Sequence, residues 1–432
     1  MIIEMVGHAS AILRTRDAAI WCDPWLSGKV FNNGWGLSPP PEFSESQLAY
    51  ITHIWISHEH PDHLHFPTLK TLPSEFKSKC EIIFQKNNSQ KVFDALRKLG
   101  FSKFRSVRHF TETRLTDKLT LTVYQERHLD SALILRTPTE TVINLNDAEL
   151  SVDECKVLAT KFGKFDICLN QFSIAGFDGI KTSLEADRSS VVTKMLSQHK
   201  ALKVDVTIPF ASFMYFCKPD NYFLNDFVNK VTDVKAEFTK NNLRCHLLFP
   251  GSALALNPSD QLPDDTAKFE RFYTTRTLVA DDLEPPIPLA EIGTAFATKV
   301  RHWRSRYPRF LIKKMGSLEI RIEDLNRFIT LDFEHGKITE STGTNVFMTV
   351  NSQPLYFAFS QPFGVQTLGV SGRYKLEFLD HRWKVVRVVS SLDNAEIYLT
   401  PEQLLSTKLM RWVWSRRTNL QENIIQQIRR FH

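Results

Sequence analysis

The stretch "ISHEHPDHLHF", residues 56–66, places His58, Glu59, His60, Asp62, His63 and His65 within eight positions. Imidazole nitrogens and carboxylate oxygens at this density are the donors of a metal site, since a solvated loop has no packing reason to collect them. The run follows the β-branched stretch "AYITHIWIS", so it falls on a loop at a strand end, where alternate side chains converge on one side. In that geometry His58 and His60 face one ion, and Asp62 and His63 face a second position beside it. No thiolate belongs to the run, which argues against a closed structural zinc site and suits zinc, iron or manganese. Glu59, Pro61 and His65 fall outside the repeat and read as spacers or as groups that orient the ligands.

The elements that must position this loop are legible on both sides of it. "MIIEMVG", "ASAILRT" and "AAIWCDPWL" read as strands leading into the Gly-, Asn- and Pro-rich loop "SGKVFNNGWGLSPPPEF". From residue 50 to about 255, strands ("LTLTVYQE", "SALILRT", "TVINLND") alternate with helical stretches ("PTLKTL", "SQKVFDALRKLG"). That alternation predicts α/β layers in which helices bury the strands. Pro285, Pro286 and Pro288 in "LEPPIPLAEIG" interrupt any helix or central strand and mark a boundary. Residues 1–284 are expected to form the metal-binding catalytic domain and residues 285–432 a smaller α+β accessory domain. In the latter, "LAEIGTAFATKVRHWRSRY" reads as helical, "SLEIRIED", "RFITLDFEHG" and "KVVRVVSS" as alternating strand-like segments, and the tail "KLMRWVWSRRTNLQENIIQQIRR" as an amphipathic helix. The spaced glycines of "QPFGVQTLGVSGRYKLEF" do not form G-x-G-x-x-G, which argues against a nucleotide loop.

Composition narrows the class. A chain of 432 residues exceeds the roughly 250–300 residues of a single core. Hydrophobic residues at 42% and charged residues at 24% describe a folded, soluble protein. No window reaches the roughly 18 apolar residues of a membrane span. The N-terminus carries Glu4 and no basic stretch ahead of its apolar residues, unlike a signal peptide, so the cytoplasm is the expected compartment. Six scattered cysteines with no C-x-x-C pair read as buried free thiols. The net charge of +6 is spread among acids, as on ordinary solvated faces, so no nucleic-acid partner is expected.

The His-x-His-x-Asp-His loop resembles the hallmark of the metallo-β-lactamase superfamily. The resemblance implies a four-layer αββα sandwich with two metal positions where the sheet edges meet. It also implies a later histidine ligand, matched by His128 in "ERHLDSALIL", and a bridging aspartate, matched by Asp147 in "VINLNDAEL". The metal ligands are then His58, His60 and His128 for one ion, Asp62 and His63 for the other, and Asp147 between them. "GHAS", "DPWLSGKVFNNGWGLSPPP", "LNQFSIAGF", "IPFASFMYF" and "LFPGSAL" follow the order found in the metal-binding body of CMP-N-acetylneuraminate hydroxylase and its bacterial relatives, across residues 1 to about 260. Those segments imply a substrate pocket lined by His8, Trp25, Trp35, Gln171, Ser173 and Tyr215, with the two indoles suited to stacking on a ring or sugar face.

Two departures bear on the chemistry. In "IPFASF" Phe210 stands where hydrolytic branches carry a final histidine, with Cys217 and His246 as alternative donors. The chain also has no Cys-x-His/Cys-x-x-His set, the ligand pattern of a Rieske cluster. The favoured expectation is a non-haem iron oxygenase with two metal ions, acting on a small anionic substrate and drawing electrons from a separate donor or from the substrate itself. The alternative is a zinc- or manganese-dependent hydrolase of an ester, amide, lactone or phosphodiester. In either case Asp62 and Asp147 are the expected catalytic carboxylates. A third reading, a binding module with a vestigial metal, leaves six retained ligands without a purpose.

Overall fold

The computed structural model describes residues 1–86, 90–126, 130–256 and 264–399. His128 and the tail segment expected to be helical lie outside the described residues.

Two sheets face each other. The first has seven strands in the order Ala253–Ala255, Ile2–Gly7, Ser10–Arg14, Ala19–Cys22, His53–Ile56, Glu81–Gln85 and Lys103–Val107. The second has six, in the order Val204–Phe210, Phe165–Gln171, Thr141–Asn146, Ser131–Arg136, Leu119–Gln125 and Glu112–Thr116. Strand alternation sorts their side chains into layers. Trp55, Ile83, Leu121, Val123, Leu133, Leu135, Ile167 and Ile208 share one core between the sheets. Their neighbours Ile54, Ile56, Ile82 and Phe84 point the other way, onto Leu69, Phe76, Val92 and Leu96 of the helices Phe66–Thr71, Ser74–Lys79 and Lys91–Lys98. Ile134, Ile143, Leu145 and Cys168 likewise turn outward onto Leu158 and Phe162 of the helix Val152–Phe162. Helix, sheet, sheet, helix is the αββα sandwich that the metal loop implied.

A separate five-stranded sheet, in the order Lys337–Glu340, Arg327–Asp332, Ser317–Ile322, Met348–Val350 and Tyr374–Leu376, follows with its helices. The hydrophobic cluster against this sheet also takes in Trp25, Phe31, Trp35, Phe177, Met214 and Phe216 from the sandwich's loops. One expectation fails here: "KVVRVVSS" lies in a helix, His381–Asn394, and not in a strand. Asp380 caps that helix by accepting from the Arg382 amide (2.7 Å). Trp383, Val386 and Val389 are buried on one face at a three-residue spacing, so packing overrides the β-preference of the valines. All six cysteines are buried and unpaired. Among the described residues no helix is long and apolar enough to cross a membrane.

A buried ion network joins the last sheet to the loop that carries Phe31, Asn32 and Asn33. Arg373, 1% exposed, donates to both Asp220 oxygens (3.0 Å each), to Glu284 Oε2 (2.8 Å) and to the Asn32 carbonyl (3.0 Å). Removing one member of a buried ion cluster leaves uncompensated charge, at a cost of about 3–5 kcal/mol. Lys218 still faces Glu284 at 3.2 Å, so we expect Arg373→Ala to lose about 3 kcal/mol, the low end of that range. Denaturant unfolding should show a lower midpoint with an unchanged slope.

Candidate metal centre

The candidate ligands meet because several strands end at one edge of the sandwich. His8 occupies the turn between Ile2–Gly7 and Ser10–Arg14, Asp23 follows Ala19–Cys22, and Ser57 with the histidine loop follows His53–Ile56. From the facing sheet, Asp130 precedes Ser131–Arg136 and Asp147 follows Thr141–Asn146. His65 closes the loop by capping the helix Phe66–Thr71, its Nδ1 accepting from the Thr68 amide (3.2 Å), which gives this histidine a structural task.

Three overlapping donor groups result: His58, His60 and Asp130; His58, His63 and Asp147; and His8, Asp62 and His63. Within each, one possible ligand atom per residue lies within 4.8 Å of the others. The middle group shares a histidine with each of the outer two, so Asp147 stands between two positions. His63 Nε2 is 3.2 Å from Asp147 Oδ2 and 3.2 Å from Asp62 Oδ2. His8 Nε2 is 3.2 Å from Asp62 Oδ2, and His58 Nε2 is 2.8 Å from His60 Nδ1. Of the loop histidines, His60 is the exposed one, so the centre opens on its side.

Asp23 fixes the orientation of His63. Fully buried, Asp23 accepts from the Ser57 amide (2.8 Å) and the Ser57 hydroxyl (2.6 Å), contacts His63 Nδ1 at 2.9 Å and is bonded by the Asn146 amide group. With Nδ1 occupied, His63 presents Nε2 to the carboxylates, as carboxylate-held histidine ligands do. Asp23 and Asn146 both have left-handed backbones (φ +39° and +52°), strain of the kind that concentrates at functional sites.

The electrostatics fit a cation. Burial, with the neighbouring His63, pushes the His58 imidazole down to about 4, leaving a neutral donor. Burial opposes charge on His63, yet Asp62, Asp147 and Asp23 hold its pKa well above the ordinary value. Burial raises Asp130 to about 6, and nearby Asp147 adds to the rise. Asp62 Oδ1 and Asp147 Oδ1 are buried without a hydrogen-bond partner. Bare carboxylate oxygens in such a setting are costly, and coordination would satisfy them.

Of the expected ligands, the fold brings together His58, His60, Asp62, His63 and Asp147. The expected pocket residues separate. His8 lies in the centre, and Trp25 and Trp35 flank its ring edge-to-face at 5.3 and 6.3 Å. Both indoles are buried, their N–H groups donating to the Ser27 and Val370 carbonyls. Tyr215 packs over Gly36, leaving no room for a side chain there. Gln171 ends its strand opposite Phe210. The Ser173 hydroxyl is engaged with the Asn229 amide (2.9 Å). Phe210 turns into the core between the sheets, so its strand end offers no donor. Among the described residues neither Cys217 nor His246 joins a donor group; the Cys217 thiol donates to the Asn33 carbonyl. Asp23, Ser57, Asp130 and Asn146 escaped the reading of the sequence. The available signal was position, since each lies at a strand end beside a recognised segment.

No family model matches the chain. It is similar to a Mycobacterium tuberculosis protein named provisionally as a Rieske 2Fe-2S iron–sulfur protein, 26% identical over 182 residues, 40% of this chain and 34% of the relative. It is also similar to the cytidine monophosphate-N-acetylneuraminic acid hydroxylase of Danio rerio, 37% identical over 100 residues, 23% of this chain and 16% of the relative. The chain thus spans about a third or less of the length of these relatives, and the resemblance to the hydroxylase family holds over part of its length. Similar solved structures include the CmlA β-hydroxylase E377D mutant, with 17% identity, TM-score 0.43 and coverage of 59% of this chain and 54% of that one. An isothiocyanate hydrolase from Delia radicum gut bacteria gives 13% identity, TM-score 0.46 and coverage of 59% and 99%.

Loss of an orienting partner costs about 10–100-fold in metal affinity. We therefore expect Asp23→Asn to weaken metal binding by about 10-fold or more while the far-ultraviolet circular dichroism stays that of the wild type. Competition against a chromophoric chelator measures the change.

Proposed function

We propose that this chain is a metal-dependent enzyme in which a pair of non-haem iron ions serves the hydroxylation of a small, anionic substrate. The observation that supports this reading is the donor set. Three carboxylates, Asp62, Asp130 and Asp147, are interleaved with the imidazoles of His58, His60 and His63, and among the described residues no thiolate takes part. Oxygen-rich donors mixed with imidazole suit iron and manganese as well as zinc. In the proposed assignment His58, His60 and His128 would hold one ion and Asp62 and His63 the other, with Asp147 available to both positions.

When bound, such a pair supplies the oxygen activation that hydroxylation requires. The chain's own residues do the positioning. Asp23 holds the His63 ring, Trp25 and Trp35 wall the buried side, and exposed His60 marks the side open to substrate. Asp62 and Asp147 each keep a buried oxygen free of protein partners, which is why they are proposed as the catalytic carboxylates. Residues 1–284 would form the catalytic unit and residues 285–432 an accessory unit bracing its loops. Electrons would come from a separate donor or from the substrate.

Protein purified without chelators should contain two irons per chain and take up oxygen in the presence of a reductant. Stoichiometric zinc, with turnover of an ester or phosphodiester in the absence of oxygen, would favour hydrolysis and overturn the proposal. Elemental analysis and an oxygen electrode measure the two quantities.

A further inference from the structure

The strand Val204–Phe210 ends at the metal edge with an aromatic ring that turns into the core. Asp62 and His63 are therefore left without a nitrogen donor from that direction. The next residue, Ala211, donates its amide to the His8 carbonyl (2.8 Å) and has a left-handed backbone (φ +51°). That bond ties the turn bearing His8 to the end of the strand Val204–Phe210.

The His8 ring is 1% exposed. Its Nε2 lies 3.2 Å from Asp62 Oδ2, and its Nδ1 has no hydrogen-bond partner. Two ligands about 2.0–2.2 Å from one ion stand about 3.0–3.5 Å apart, a spacing the His8–Asp62 contact meets. His63 Nδ1, which contacts the orienting Asp23, sits at 2.9 Å. The contacts His63–Asp62, His63–Asp147 and His8–Asp62 are all 3.2 Å. His8 therefore stands as far from Asp62 as His63 does, inside the same group of potential donor atoms.

We infer that His8 is a metal ligand of the second position, completing with Asp62 and His63 the set that Phe210 leaves short. This inference rests on the two-metal reading above. If it holds, the second ion is bound by one imidazole from the histidine loop and one from the turn near the N-terminus, and Trp25 and Trp35 shape its surroundings by holding the His8 ring.

The test is Co(II) titration of the chelator-stripped full chain, with bound cobalt counted by elemental analysis and followed by visible absorption. Wild type should bind two cobalt ions. His8→Ala and His8→Gln should bind the first with wild-type affinity, which reports an intact fold, and the second more than about 100-fold more weakly, beyond the 10–100-fold cost of losing an orienting partner. His8→Gln decides between the two roles, because its amide can still donate to Asp62 but supplies no imidazole. A His8→Gln chain that binds the second cobalt like wild type overturns the ligand role. A wild-type chain that takes up only one cobalt overturns the two-metal reading together with this inference, and two tightly bound cobalt ions in both variants overturn this inference alone.

Discussion

The arrangement of this molecule depends on one buried carboxylate. Asp23 follows a strand of the first sheet, and its bonds reach Ser57 and His63 on the loop after the neighbouring parallel strand. They also reach Asn146, at the end of a strand of the opposite sheet. The contact thus sets the relative position of the two sheets at the edge where the donors gather, as well as the direction of an imidazole. Without it, the His63 ring would lose its fixed orientation, and Asp147, next to Asn146, would lose its register with the histidine loop.

A second constraint acts from the far side. The loop bearing Phe31, Asn32 and Asn33 runs through three consecutive left-handed residues (φ +50°, +56° and +56°), a conformation that persists only when its surroundings over-determine it. Those surroundings come largely from the last third of the chain. Arg373 donates to the Asn32 carbonyl, Gln353 and Asn32 exchange amide bonds at 2.8 and 2.9 Å, and the Trp35 indole donates to the Val370 carbonyl. Since Phe31 reaches His60 (ring centroids 6.0 Å) and Trp35 reaches His8, Gln353, Val370 and Arg373 brace the wall of the metal edge.

What could be read in the sequence follows from how local each feature is. The loop His58 to His63 is legible because the spacing of its donors is set within a few residues of one strand end. The layers are legible because strand alternation and helical spacing are local patterns. Asp23 and Asp130 were not, because their roles exist only once strands distant in sequence pair, and an isolated aspartate beside a turn has many uses. The segment "KVVRVVSS" misled for the opposite reason. Its local β-preference is strong, and the helix is decided by burial of Trp383, Val386 and Val389 against the rest of the fold. Phe210 was noticed as a departure in type, but that its ring joins the core between the sheets is a fact of packing.

The charge at this edge explains why the parts belong together. Asp23, Asp62, Asp130 and Asp147 converge there, and among the described residues their ion-pair partners are histidines, with no lysine or arginine within reach. Burial opposes charge on His63 while three of these acids raise its pKa well above the ordinary value, and a single imidazole offsets only part of the negative charge. Buried carboxylates in excess of their counter-ions are unfavourable unless a cation or a proton balances them. Asp130 responds toward a proton, its pKa raised to about 6. Asp62 and Asp147 do the reverse, their pKa values lowered by His63 against the effect of burial, so they remain anionic with an oxygen each to spare. An edge built this way suits a cation, and metal binding there would add to the stability of the fold as well as to its chemistry.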